Sequence, residues 1–188
     1  MTVDTPPVGR RGRQTLYLLI VLFFVPVAVA FYMYYGADWR PVGQTNHGEL
    51  LTPVKALPAG AEVLREKWSL VYVGDGACDA DCREALVFAR QTRLSLNQDM
   101  QRVERYFIAT GACCDRAYLD ATHPGLKLIE VPEAAASPLV AAFPLRDRMH
   151  SLFIVDPLGN LVMRYDVRQP PKGLLTDLRK LLKLSHIG

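Results

Sequence analysis

Excess charge is what this 188-residue chain most lacks: 22 lysines and arginines stand against 19 aspartates and glutamates, a net charge of +3. Most of that excess belongs to residues 1–15, where Arg10, Arg11 and Arg13 face only Asp4. Residues 36–59 cancel, and residues 60–188 keep just one positive charge. A nucleic-acid binder concentrates basic charge on its folded part, so nucleic acid is not an expected partner. Hydrolase signatures are missing as well: neither G-x-S-x-G nor H-E-x-x-H occurs. Low-complexity tracts and internal repeats are absent, and with 50% hydrophobic residues general disorder is excluded. Cysteine is scarce, at four residues, and histidine equally so. A length of 188 residues leaves room for one domain and a short appendage.

A long uncharged run is present. Leu16 to Tyr35 (LYLLIVLFFVPVAVAFYMYY) holds 20 residues without a charge. As a helix it spans about 30 Å, the thickness of a bilayer's hydrocarbon core. Pro26 sits mid-run, which membrane helices tolerate. Tyr32, Tyr34, Tyr35 and Trp39 read as an interfacial aromatic belt. A cleaved signal peptide has a shorter apolar region and a small-residue cleavage site, so the run reads as a retained anchor. Three arginines precede it, which puts residues 1–15 in the cytoplasm and residues 36–188 across the membrane. Arg10-Arg11 is read as topology-setting charge, an isolated pair being weak grounds for a twin-arginine export signal. In a bacterium this is an inner-membrane protein with a periplasmic domain, where disulfides persist.

Residues 36–62 are rich in glycine and proline and read as a linker with one short hairpin, Asn46-His47-Gly48 being a turn signal. Residues 63–188 are expected to fold as an α/β domain. Trp68 to Val73 reads as a buried strand, Glu84 to Met100 as a helix with Ala85, Phe88, Ala89, Thr92 and Leu96 inward, and Arg105 to Ala109 as a second strand. Leu126 to Val131 is a further strand and Pro138 to Phe143 a short helix. Ser151 to Val155 and Leu161 to Tyr165 form a hairpin across Asp156-Pro157-Leu158-Gly159-Asn160. Leu174, Leu175, Leu178, Leu181 and Leu182 mark an amphipathic C-terminal helix. A βαβ unit, then a hairpin, then a helix is the thioredoxin-like order: a mixed central sheet flanked by helices.

All four cysteines lie beyond the anchor. Cys78 and Cys82 sit between the first strand and the first helix as C-x-x-x-C. If the helix begins near Cys78, both sulfurs share one helical face, at a Cα separation that a disulfide accepts. A helix N-terminus favours the thiolate, whereas Asp79 and Asp81 raise its cost and Arg83 offsets part of that. This balance argues against an aggressive oxidant and towards a soft monovalent cation, Cu(I). Among His47, His123, His150 and His186, His150 is the candidate third ligand, because it directly precedes the strand Ser151 to Val155. A surface or hydrogen-bonded histidine is the competing reading. Cys113-Cys114, in the loop after the second strand, reads as a buried thiol or structural link, or as an exchange partner of the first pair.

Gly76-Ala77-Cys78-Asp79-Ala80-Asp81-Cys82 after an apolar strand, with His150-Ser151 opening a strand that runs into Asp156-Pro157-Leu158-Gly159, resembles the Sco/SenC family. That resemblance implies a membrane-anchored thioredoxin-like protein of cytochrome c oxidase assembly, with copper ligands Cys78, Cys82 and His150. Two departures mark a divergent relative: Arg83 where the family has proline, and Met149 where it has an acidic residue. Met149 is a soft thioether or a gap filler. Zinc is disfavoured, since a closed structural site takes four ligands. The competing functions are a metal-free thiol–disulfide reductase using Cys78 and Cys82, and a non-catalytic membrane-tethered docking module. The expected partners are the membrane and an oxidase subunit or another copper or thiol assembly protein.

Overall fold

The computed structural model describes residues 10–36, 45–113, 116–132, 137–185 and 187. The chain divides into two compact units, residues 1–44 and 45–188. The first contains helix α1, Arg10–Tyr35, with Pro26 inside it. Its stretch Gly12–Tyr35 is long and apolar enough to cross a membrane, and large apolar side chains such as Phe23 and Phe24 are exposed along it.

The second unit is built on a six-stranded mixed sheet. Its strands are β1 (Glu49–Ala56), β2 (Trp68–Asp75), β3 (Val103–Thr110), β4 (Leu126–Val131), β5 (Ser151–Val155) and β6 (Asn160–Asp166). Their spatial order is β1-β6-β5-β2-β3-β4. β2, β3 and β4 are parallel; β5 runs antiparallel to β2 and β6, and β1 antiparallel to β6. The helices are α2 (Ala80–Leu94), α3 (Arg116–Thr122), α4 (Pro138–Ala142) and α5 (Pro171–Leu184). This is the thioredoxin-like architecture expected.

β2 is central, and its continuous apolar run follows from burial on both faces. Trp68, Leu70 and Tyr72 join one core with Ala85, Phe88 and Ala89 of α2 and Leu174, Leu178 and Leu182 of α5. Val71 and Val73 join the other with Val140 and Phe143. The inward face expected of the first long helix is buried at every named residue.

β2, β3, β6 and α4 differ from their expected ranges by one or two residues at an end, and the larger differences lie in α2 and the linker. α2 starts earlier than Glu84, because the Asp79 carboxylate accepts the Cys82 backbone N–H at 3.0 Å and caps it. It ends at Leu94, and a 3₁₀ segment follows in which Asn97 takes a left-handed φ of 53°. Within the predicted linker, residues 49–56 form no hairpin of their own. They make β1, which pairs with β6 through Glu49↔Arg164 and Ala56↔Asn160. α3 was not anticipated.

Candidate functional site

Cys78 and Cys82 are joined in a disulfide, with their Cα atoms 5.1 Å apart. Both are buried, at 4% and 2% exposure. Cys82 lies in the first turn of α2, but Cys78 lies before it, with a positive φ of 47°. The expectation that both sulfurs share one helical face is therefore corrected: a tight turn, not the helix, presents Cys78. Two aspartates hold that turn. The Asp75 carboxylate accepts the Ala77 N–H at 2.8 Å and the Asp75 carbonyl accepts the Cys78 N–H at 3.1 Å, while Asp79 caps the helix. Asp79, read from sequence as a source of repulsion, is equally a structural cap.

His150 ends the 3₁₀ turn Arg148–His150 that leads into β5. Its N–H donates to the Asp147 carbonyl at 3.0 Å, and its own carbonyl accepts the Val167 N–H at 2.8 Å. The imidazole Nδ1 lies 3.8 Å from an Asp81 carboxylate oxygen. The structure thus brings the histidine to the residue directly before Cys82 in the chain. Both side chains keep partial solvent access, 32% for His150 and 46% for Asp81.

Tyr72 positions this turn, and nothing in the sequence marked it. Its hydroxyl donates to the Met149 carbonyl at 3.1 Å. The ring lies across Gly74, where a Cβ would stand 2.6 Å from a Tyr72 ring carbon, so only glycine leaves the ring its place. Burial first, then Asp79 and Asp81, push the phenol pKa well above its ordinary value. The hydroxyl therefore stays protonated and donating.

The departures from the Sco/SenC pattern acquire local roles. The Arg83 guanidinium carbon stands 5.4 Å above the Tyr118 ring of α3. Met149 is half-exposed and serves the turn through its carbonyl. Of the other histidines, His47 faces the buried Asp177 carboxylate with Nδ1 at 3.1 Å. His123 is 1% exposed, and neither ring nitrogen has a hydrogen-bond partner among the described residues. His186 and Cys114 lie outside the described residues. Cys113 is half-buried and engaged in a disulfide, so it is not the free buried thiol that was one of the expectations.

Among the described residues, no group of three or more His, Cys, Asp or Glu is arranged to hold a metal ion. A disulfide offers no thiolate to a metal, so the donor chemistry of Cys78 and Cys82 suits Cu(I) only after reduction. In the oxidised form the turn carries a buried disulfide, with Asp75, Asp79 and Asp81 on the same stretch of chain and the last of them facing the His150 imidazole.

Fold comparisons agree with this description. Yeast Sco1 superposes with a TM-score of 0.56 at 17% identity, covering 76% of this chain and 98% of that one. Yeast Sco1 with copper bound gives 0.54 at 17%, covering 75% and 95%. Bradyrhizobium japonicum ScoI with copper bound gives 0.50 at 17%, covering 71% and 98%. At these identities the likeness is one of fold. No curated protein matches in sequence. Residues 68–185 match a family model spanning β2 to the end of α5, and the chain accordingly belongs to the family described as "Transmembrane-like, thioredoxin-like, C-terminal domain".

Proposed function

We propose that this chain is a membrane-anchored copper-handling factor for cytochrome c oxidase assembly, in which the reduced Cys78–Cys82 pair and His150 hold one Cu(I). The observation that carries the reading is the approach of the His150 imidazole to Asp81, between the two cysteines in the chain, at 3.8 Å. Reduction of the disulfide would free two sulfurs on one turn, and the His150 imidazole, which approaches that turn at Asp81, would supply the third donor of a soft set. Yeast Sco1 and Bradyrhizobium japonicum ScoI, which share the fold, have copper bound. The anchor is read with residues 1–15 in the cytoplasm and the α/β domain on the far side, from Arg10, Arg11 and Arg13 ahead of the apolar run.

The test is Cu(I) loading of the full chain in detergent, anaerobically after reduction, with metal and thiols counted. One Cu(I) per chain is expected for wild type and none for Cys78→Ser. His150→Ala should bind at least about tenfold more weakly, since ligands and even their supporting partners carry such factors. Unchanged stoichiometry and affinity in both variants overturns the reading.

A second reading, a thiol–disulfide reductase without metal, is favoured by the disulfide itself. Cys78 then attacks a client disulfide and Cys82 resolves the mixed disulfide. In that case His150→Ala leaves thiol turnover intact while Cys78→Ser abolishes it.

A further inference from the structure

β2 and β3 are parallel neighbours whose last paired residues are Asp75 and Thr110. Cys78 stands three residues beyond Asp75, and Cys113 three residues beyond Thr110. Two half-cystines therefore leave the carboxyl ends of adjacent strands in step, from strands about 4.8 Å apart. The two loops are fastened together. The Gly76 N–H donates to the Thr110 carbonyl at 3.2 Å, and the Thr110 hydroxyl donates to the Gly74 carbonyl at 3.1 Å. Gly76 is pressed against the other loop: a Cβ there would lie 2.1 Å from the Ala112 carbonyl oxygen and 3.2 Å from the Cys113 nitrogen. The Cys113 side chain packs on the core cluster that contains Cys78 and Cys82. Both Cys78 and Cys113 are disulfide-bonded.

We infer that the Cys113 disulfide and the Cys78–Cys82 disulfide are internal redox partners that exchange electrons by direct thiol–disulfide attack. The electron source is an external dithiol. It reduces the Cys113 disulfide and leaves as its own disulfide, delivering two electrons and two protons. The Cys113 thiolate, having released its proton, attacks the Cys78 sulfur; the Cys78–Cys113 bond forms, the Cys78–Cys82 bond breaks, and the Cys82 thiolate takes up a proton. The thiol freed from Cys113's former partner then attacks the Cys113 sulfur and restores that disulfide. Its proton goes to the departing Cys78 thiolate. The net result is a reduced Cys78–Cys82 pair, the state that both functional readings require. The exchange itself needs neither copper nor His150, so it stands or falls separately from them.

The diagnostic species is the Cys78–Cys113 mixed disulfide. In the full-length Cys82→Ser chain, Cys78 has lost its partner and should attack the Cys113 disulfide. Acid quench and non-reducing tryptic mapping should then recover peptides 68–83 and 106–116 linked as the major species, with fragmentation assigning the bond to Cys113. A folded Cys82→Ser chain with the two peptides separate overturns the inference. Should that variant fail to fold, wild type treated with one equivalent of dithiothreitol provides the same readout. Linked 68–83/106–116 peptide supports exchange, and its absence while both native disulfides are partly reduced overturns it.

Discussion

Replacing Arg105 by methionine tests how the sheet tolerates a charge it does not neutralise. Arg105 lies on the α2-facing side of β3, between Val103 and Phe107, and is 3% exposed. Its Nη2 donates to the Pro124 carbonyl at 2.6 Å, whereas Nε and Nη1 have no partner among the described residues. Burial, then Arg93 and Arg90, push its pKa down from 12.5 to about 10. Because the folded value lies below the unfolded one, the charge opposes folding fully at neutral pH, and the penalty lifts only as pH rises from about 10 towards 12.5. Each orphaned donor costs about 1–3 kcal/mol, and the single charge-assisted hydrogen bond offsets about 1.5–3 kcal/mol. Arg105→Met should therefore stabilise the domain by about 1–3 kcal/mol, in line with buried charges replaced by apolar residues. At this chain length, with about 2–4 °C per kcal/mol, that raises Tm by roughly 2–12 °C. The assay is thermal unfolding of the full chain in detergent at pH 7, followed by tryptophan fluorescence, with Arg105→Lys as the charge-retaining control. A Tm equal to or below wild type in Arg105→Met, from a chain unfolding with unchanged cooperativity, refutes the reasoning and means that the guanidinium is satisfied in solution.

His123 and Tyr72 give two further expectations. Burial first, then Arg105 and Arg90, lower the His123 pKa below its ordinary 6.5, so the unfolded chain binds this proton more readily and stability falls as pH drops through 6.5. His123→Phe, which keeps the ring packed on Tyr118, should flatten the fall in Tm between pH 7 and 5, and a slope identical to wild type contradicts this. Tyr72→Phe deletes the hydroxyl that reaches the Met149 carbonyl. Urea unfolding should show a loss of about 1 kcal/mol, and amide exchange should quicken at residues 149–151. Unaltered exchange there means that Tyr72 does not hold the His150 turn.

What could be read in advance divides along a physical line. Elements defined by continuous burial were legible: β2 is apolar because both faces are covered, and the hairpin β5–β6 is set by its Asp-Pro-Leu-Gly-Asn turn. β1 was not, because it is an edge strand whose residues are nearly all exposed and which contains Pro53, so it carries neither alternation nor an apolar run. α3 has seven residues, of which only Leu119 is buried, too few to imprint a helical period. At the site, the cysteine pair and His150 were visible as residue types at suggestive positions. The hydrogen bond from Tyr72 was not, since its acceptor is a backbone carbonyl 77 residues away and backbone carbonyls carry no sequence signature.

The arrangement around Cys78 and Cys82 bears on which of its chemistries prevails once the disulfide opens. Asp79 turns its carboxylate to the helix N-terminus, Asp81 turns to His150, and Arg83, the nearest cation in the chain, is drawn over Tyr118. Burial chiefly, with Asp79 and Asp81 adding to it, raises the pKa of the Tyr72 phenol beside this turn. A unit charge about 6 Å away contributes roughly 3 kcal/mol at an effective dielectric of 20. Carboxylates on the same turn disfavour the thiolate, the form that attacks a client disulfide. The same field attracts a cation, and a soft monovalent one displaces the thiol protons while cancelling charge instead of adding it. The two functions proposed above therefore part at this turn: its carboxylates oppose the attacking thiolate that the reductase reading needs, whereas in the copper reading a bound monovalent cation would offset their charge.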